Sequence, residues 1–473
     1  MKLSQIPKLF KPLYKTLTNG FLAVMNPYSY HGFLILDAQG ANIFNQIDGK
    51  KQLQHIYSCI KPKYNTSITA FEKLIDQLIK YRLVTFHSEK NVAYSKLHAP
   101  GYHQEKILTF WFSVTNQCNF RCSYCFVSKT PEKMDKRILK ISLMKIFLSA
   151  KKYGFDKIHI LITGGEPLLE IDLVKKIKSL IPPLENKYHL PTIIGIISNA
   201  SLITEKNASY LKRNGIKVAT SIDGIDEGQN ATRMYHNGKG TYKQVIKGIM
   251  IAKKYGILDA INITVTSKNI HQLPEFVDFL LNNVSNEISF GLFKNNHLTS
   301  NVLSADQKDL ISNFKKVLDI IYSYFRKKNV FISPMVASLV NIDYVIRSFP
   351  TFPVSSICSA GSSYISLTHR GEISLCPYEA PIKGYSVFSD KDMLKTYWEA
   401  AKIHYHKSGA EFHPECNKCI WKYICAGGCK FQRKYMHSDF VYKSPYCEFY
   451  KKIIPYFLKL EAKRITYNLM SGI

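Results

Sequence analysis

The chain has 473 residues, 46% of them hydrophobic, with 64 Lys and Arg against 35 Asp and Glu and a net charge of +29. That length suits two or three globular domains, no apolar run is long enough to cross a bilayer, and the basic start MKLSQIPKLFKPLYKTL lacks the apolar centre of a signal peptide. The basic residues are spread along the chain, which disfavours a nucleic-acid partner, and eleven tightly spaced Cys point to metal centres in a cytoplasmic protein and not to a disulfide framework.

Residues 1–98 read as a small unit. Apolar runs at Gly20–Met25 and Gly32–Leu36 flank a polar turn and predict a hairpin. Helical spacing follows over Ala38–Ile47, Gln52–Ile60 and Ile68–Tyr81, and Leu83–Phe86 closes the unit as a strand. Cys59, among the apolar positions of the second helix, reads as a buried small hydrophobe. Hairpin, three helices and closing strand make a winged-helix-like pattern. With the Asp48-Gly49 turn, it resembles the recognition element fused to maturases of ribosomally made peptides. That resemblance implies capture of a precursor peptide as a strand added to the hairpin edge; a DNA-binding or purely structural winged helix is the alternative.

From 105 to 330, strand and helix patterns alternate. The strands are Leu108–Thr115, Lys157–Thr163, Ile193–Ser198, Val218–Asp223, Ala260–Thr266 and Ile288–Phe293. Alternation of this kind predicts an α/β fold with parallel strands and crossover helices, here a partial (β/α)6 barrel. Such folds place chemistry at the C-terminal strand ends. The unusual residues fall there: Cys118, Cys122 and Cys125 after the first strand, Gly164-Gly165-Glu166-Pro167 after the second, Ser198-Asn199 at the third, and Ser221-Ile222-Asp223-Gly224 at the fourth.

The three Cys stand at Cys-x3-Cys-x2-Cys spacing with no fourth Cys or His near; Cys59 and His103 lie upstream. A closed zinc site takes four ligands, whereas a cubane held by three thiolates keeps one iron open, so the spacing favours a cluster over zinc or plain buried thiols. With Tyr124 before the last Cys, the loop resembles the signature of radical S-adenosylmethionine (SAM) enzymes. The resemblance implies a [4Fe–4S] cluster whose open iron chelates SAM and whose electron cleaves it to a 5′-deoxyadenosyl radical, with Tyr124 near the adenine. It further implies that Gly164, Gly165 and Glu166 hold the SAM amino group, that Ser198, Asn199 and Ser221 contact its ribose and carboxylate, and that Arg233 pairs with the carboxylate. Arg233 read without the resemblance is a solvated loop charge.

Seven further Cys lie between 350 and 450: Cys358, Cys376, Cys416, Cys419, Cys425, Cys429 and Cys447. Their spacing, with Gly371 before Cys376, resembles the SPASM extension of radical SAM enzymes; seven Cys divide poorly into closed zinc sites. By that resemblance Cys416, Cys419, Cys425 and Cys447 hold one auxiliary [4Fe–4S] cluster and Cys358, Cys376 and Cys429 a second, three clusters in all. The eighth Cys of some relatives is missing from Ala360–Tyr364. The fourth position of the second auxiliary cluster is thus open to a substrate thiolate or to His369 or Glu372. Residues 451–473 read as a basic amphipathic helix packed on this domain.

The resemblance implies an enzyme that abstracts hydrogen from a precursor peptide and forms a thioether or other crosslink, with an electron donor such as flavodoxin or ferredoxin. The alternatives are oxidation of a sulfatase Cys or Ser to formylglycine and a winged-helix nucleic-acid binder with structural metals. Glu166 and Asp223 are acids near the site, and no spacing singles out a general base.

Overall fold

A computed structural model of the chain describes residues 3–29, 31–86, 106–296, 298–299, 301–328, 358–437 and 442–471. The expected domain boundaries between 98 and 105 and between 330 and 350, and His103, lie outside them.

The front unit runs β1 (Lys8–Leu9), β2 (Tyr14–Thr18), β3 (Phe21–Met25), β4 (Leu34–Leu36), α1 (Ala38–Asn45), α2 (Leu53–Tyr64), α3 (Ile68–Lys80) and β5 (Val84–Thr85). The expected hairpin is β3–β4, with Leu22 opposite Leu36, but β2 precedes it and makes the sheet three-stranded. Tyr14–Thr18 shows no apolar run, because it alternates half-buried and exposed residues and leaves Leu17 73% exposed. The β2–β3 turn is tight, with Asn19 and Gly20 both at positive φ (50° and 80°) as a type I′ turn requires. Asp37 and Ser67 start α1 and α3 by accepting hydrogen bonds from Gly40 N and Ala70 N. Leu22, Val24, Phe44, Ile56, Phe71 and Leu78 close a core separate from that of the rest of the chain. Cys59 corrects the expectation: it is exposed, because Leu53, Ile56 and Ile60 take the inward stripe of α2 and Cys59 falls beside it.

The main body alternates β6 (Ile107–Thr115), α4 (Lys136–Lys152), β7 (Lys157–Gly164), α5 (Ile171–Tyr188), β8 (Thr192–Ser198), α6 (Glu205–Arg213), β9 (Lys217–Ser221), α7 (Glu227–Asn230), α8 (Tyr242–Lys254), β10 (Leu258–Val265), α9 (Leu273–Asn283), β11 (Ile288–Leu292) and α10 (Gln307–Lys328). Strands β6 to β11 pair in chain order, all parallel. In β6, Leu108, Phe110, Phe112 and Val114 are fully buried, while Thr109, Trp111 and Ser113 on the opposite face are only half-buried. One face of this part of the sheet therefore carries the core, and the other fronts a cleft.

After the main body come β12 (Tyr364–Leu367), β13 (Ile373–Ser374), α11 (Met393–His404), α12 (Lys430–His437) and α13 (Cys447–Ser471). Strand β12 adds parallel to the outer edge of β6, and β13 pairs antiparallel to β12, so the Cys-rich segment extends the same sheet. Helix α13 begins at Cys447 itself and does more than cover that segment. Tyr14 OH of β2 donates to Pro455 O (2.9 Å), Asn19 Nδ2 to Thr466 Oγ1 (3.0 Å), and Tyr456 OH to Asp319 of α10 (2.8 Å). It thereby ties the front unit to the main body.

Candidate active site

The loops at the C-terminal ends of β6, β7 and β8 converge. Gly164, at φ 141°, and Gly165 allow the end of β7 to lie against the chain leaving β6. A Cβ on Gly165 would stand 2.0 Å from Gln117 O, and one on Gly164 2.2 Å from Thr115 O. Two backbone bonds fix that approach, Gly165 N to Thr115 O (2.8 Å) and Glu166 N to Gln117 O (2.7 Å).

Glu166 is fully buried, and its carboxylate accepts from Ser198 Oγ (2.8 Å), Asn199 N (2.7 Å) and Leu168 N (3.0 Å). Burial raises its pKa and these donors oppose the rise. Its carboxylate is thus a brace between β7 and β8. Asn199 carries the brace onward, donating to Asn119 Oδ1 (2.9 Å) and reaching 3.9 Å from Cys118 Sγ. Asn119 in turn donates to Ser201 Oγ (2.8 Å). Asn119 and Ser201 carry no motif of their own.

A second knot holds the other side of the Cys loop. Asp223, fully buried, accepts from Arg233 Nε (2.9 Å), Tyr124 OH, Thr232 Oγ1 (3.3 Å) and Thr264 N (2.9 Å). The Arg233 guanidinium also stands 5.4 Å from the centre of the Tyr124 ring. Arg233 is 8% exposed, so the solvated-charge reading is wrong, and its Nε is engaged by Asp223. Burial opposes the Arg233 charge, but Asp223, Tyr124 and Cys122 outweigh it and hold the pKa well above the ordinary value. Ser221 ends β9, half-buried, opposite Asn262 of β10. Backbone bonds from Arg121 N to Met234 O (2.7 Å) and Ser123 N to Thr232 O (2.9 Å) lash the loop to the segment bearing Arg233.

Cys118, Cys122 and Cys125 are free thiols within this frame. Burial pushes Cys118 up and Cys122 up to about 12, so holding them as thiolates takes a cation. One lies at hand that the sequence reading passed over: Lys129 Nζ is 3.0 Å from Cys125 Sγ. Burial would lower the Lys129 pKa, but the thiols together raise it.

Cys358, Cys376 and Cys429 share the electrostatic neighbourhood of Lys294, which follows β11 at the same end of the sheet. Burial raises Cys376, and Cys429 adds to the rise. His369 and Glu372 are engaged elsewhere: His369 Nε2 lies 3.2 Å from Glu132 Oε2, and Glu372 Oε2 accepts from Thr368 Oγ1 (3.0 Å). The carboxylate that acts on Cys376 is that of Glu379, which also accepts from Tyr405 OH (3.0 Å). Cys416, Cys419, Cys425 and Cys447 line one cavity of about 450 Å3, with Trp421 and Tyr450 in its wall. The front unit abuts it, as Tyr28 OH donates to Cys419 O (2.8 Å). Among the described residues no three His, Cys, Asp or Glu close around a single ion, and a cubane takes its thiolates at separate corners.

The profile of the radical SAM superfamily matches residues 112–280. An uncharacterised protein of Methanocaldococcus jannaschii is 31% identical over 287 residues, 60% of this chain and 89% of that protein. The cysteine-type anaerobic sulfatase-maturating enzyme of Clostridium perfringens is 23% identical over 356 residues, 72% of this chain and 93% of that enzyme. Among solved structures, Streptococcus suis SuiB bound to precursor peptide SuiA superposes with a TM-score of 0.52 at 17% identity, covering 93% of this chain and 100% of that one. The profile takes in the Cys loop, the Gly-Gly-Glu-Pro turn and the Asp223–Arg233 knot, and the chain belongs to the radical SAM superfamily of SAM-dependent enzymes.

Proposed function

We propose that this enzyme modifies a ribosomally made precursor peptide, binding the peptide through residues 1–98 and SAM in the 105–330 unit. The observation that carries the proposal is the convergence of Cys118, Cys122 and Cys125 with the Gly164–Glu166 turn and Ser198-Asn199 at one end of the sheet. The donor set fits a [4Fe–4S] cluster: three gathered thiols with a lysine ammonium at 3.0 Å. Such a cluster, with SAM, would supply a 5′-deoxyadenosyl radical for hydrogen abstraction from the peptide. The chain's own residues hold and orient. The Glu166 carboxylate is committed to Ser198 and Asn199, so backbone carbonyls of the glycine turn would be the acceptors for the SAM ammonium. Tyr124 offers a ring for the adenine, and Ser198, Asn199 and Ser221 offer polar groups for ribose and carboxylate. Arg233, bound at Nε by Asp223, meets the carboxylate only through its other nitrogens.

The 350–450 unit would hold two auxiliary clusters, on Cys416, Cys419, Cys425 and Cys447 and on Cys358, Cys376 and Cys429, and would place thioether or other crosslink chemistry within reach of the peptide. An electron donor such as flavodoxin or ferredoxin, in a cytoplasmic setting, completes the scheme. Among the described residues no helix is long and apolar enough to cross a membrane. Two features favour a precursor peptide over a sulfatase. The sulfatase-maturating relative is nearly all covered by 72% of this chain, leaving the remainder without counterpart, whereas the SuiB match spans 93%. In the front sheet, β2 is backed by α13, while among the described residues β4 pairs with β3 alone and keeps an edge for strand addition.

The test is co-expression with short candidate precursor peptides, followed by mass spectrometry. A mass loss that depends on Cys118, Cys122 and Cys125 supports the reading. An unmodified peptide together with formylglycine formation on a sulfatase sequence replaces it.

A further inference from the structure

Two cavities flank the segment 377–381. One, of about 600 Å3, lies between the chain leaving the Cys118–Cys125 loop and the β12–β13 hairpin. The other, of about 630 Å3, lies toward Phe431 and His404. Tyr378 lines both.

Its ring is held from both sides. Phe126 packs on it with centres 4.0 Å apart and planes at 34°, and Phe431 with centres 5.2 Å apart and planes at 36°. The Lys294 ammonium sits 5.0 Å from the centre of the Tyr378 ring. The positions of these rings in the chain matter. Phe126 directly follows Cys125, Tyr378 is two residues beyond Cys376, and Phe431 is two residues beyond Cys429. Three rings, each within two residues of a Cys of these sets, thus make one continuous run of ring contacts. Aromatic packing alone would account for a ring near one cysteine set, but not for a ring wedged between two of them with a cation over it.

We propose that Tyr378 is the bridge through which an electron passes between the cluster on Cys118, Cys122 and Cys125 and the cluster on Cys358, Cys376 and Cys429. The inference rests on the ligand sets proposed above. In the step, one iron–sulfur cluster is oxidised by one electron and the other is reduced by one; no atom or proton moves. A packed ring offers π orbitals where a saturated side chain or open cavity offers none, and the Lys294 charge favours negative charge passing beside it. The hydroxyl is not required, so phenylalanine should serve.

The experiment uses the anaerobic, fully loaded full-length enzyme. A flash of photoreduction by a deazaflavin supplies electrons, and freeze-quench electron paramagnetic resonance follows their redistribution between the two clusters. In Tyr378→Leu, redistribution should slow by about tenfold or more, an added barrier of roughly 1.4 kcal/mol, with iron content and each cluster's own signal unchanged. Tyr378→Phe should keep the wild-type rate. Tyr378→Met, which fills similar space with a saturated chain, carries the same expectation as Leu if the Leu variant loses iron. Wild-type redistribution in the saturated variants overturns the bridge. A separate arm tests the ligand reading: if replacing Cys358, Cys376 and Cys429 by Ala removes no cluster signal, that set holds none, and the bridge falls with it.

Discussion

At the scale of single residues, the site is held by buried acids whose oxygens are all used internally. Glu166 is the clearest case, because both carboxylate oxygens face donors: Oε1 takes Leu168 N and Ser198 Oγ, and Oε2 takes Asn199 N. Glu166→Gln should therefore cost about 1–3 kcal/mol, since the new amide turns an NH2 toward a buried N–H that has lost its acceptor. Denaturant unfolding of the loaded enzyme reads the cost, and SAM affinity should fall with it because Asn199 braces the Cys loop through Asn119. Ser198→Ala, which removes one donor to Glu166 and takes the acceptor from Ala200 N (3.0 Å), should cost about 1–3 kcal/mol. Equal stability of Glu166→Gln and the parent would show that the brace is dispensable. The motif residues themselves were legible in the sequence. Lys129, Asn119 and Asp223's partnership with Arg233 were not, because a lysine, an asparagine or an arginine in a loop has no local pattern that says whether it is solvated or paired.

At the scale of elements, the front unit is a small body with its own core and an identifiable pH response. His31 lies beside the Tyr81 ring, with centres 5.1 Å apart, and burial, with Arg82 and Lys80 nearby, lowers its pKa to about 4 from the ordinary 6.5. A base whose pKa is depressed on folding binds more protons when unfolded, so stability rises with pH across that interval. The contribution is fully present above pH 6.5 and is lost as pH falls toward about 4. His31→Gln should flatten the loss, as followed by thermal melting between those two pH values; an unchanged profile would assign the acid sensitivity elsewhere. Deleting residues 1–98 should leave reductant-driven SAM cleavage in place, because among the described residues no hydrogen bond of the Cys loop, the glycine turn or the Asp223 knot involves the front unit. It should weaken binding of the precursor peptide, as measured by fluorescence anisotropy. Undiminished peptide affinity would leave the front unit a structural or nucleic-acid-binding role.

At the scale of the whole molecule, three sets of cysteines are distributed over one continuous frame. The third set has the plainest container, a cavity of about 450 Å3 walled by its own four Cys. The anaerobically reconstituted chain should hold roughly twelve irons, four per cubane. Replacing Cys416, Cys419, Cys425 and Cys447 by Ala should lower the count by about four while the SAM-dependent cluster keeps its spectrum. A parent protein with a single cluster's worth of iron would confine the chemistry to the Cys118–Cys125 loop.

Local signals carry far in this chain because its main body is built from repeated, short-range units. Each β/α pair declares itself by periodicity, and all six strands of the main body fall within a few residues of the sequence reading. Spacing likewise marks Cys118, Cys122 and Cys125 as one group, since they share a single loop, whereas the division of the other seven comes only from the resemblance. Tertiary structure alone decided what depends on distant partners. Strand β2 has too little apolar content to declare itself and exists by pairing with β3 and resting on α13. Cys59 turns outward because its helix faces its core by another stripe. Strand β12 joins a sheet whose nearest strand, β6, lies about 250 residues earlier, a pairing that no local pattern can encode because its stabilisation comes entirely from that remote edge. The same holds for Tyr378, an unremarked aromatic in the sequence, which acquires its place between two sets of thiols only when the chain brings Phe126 and Phe431 to its two sides.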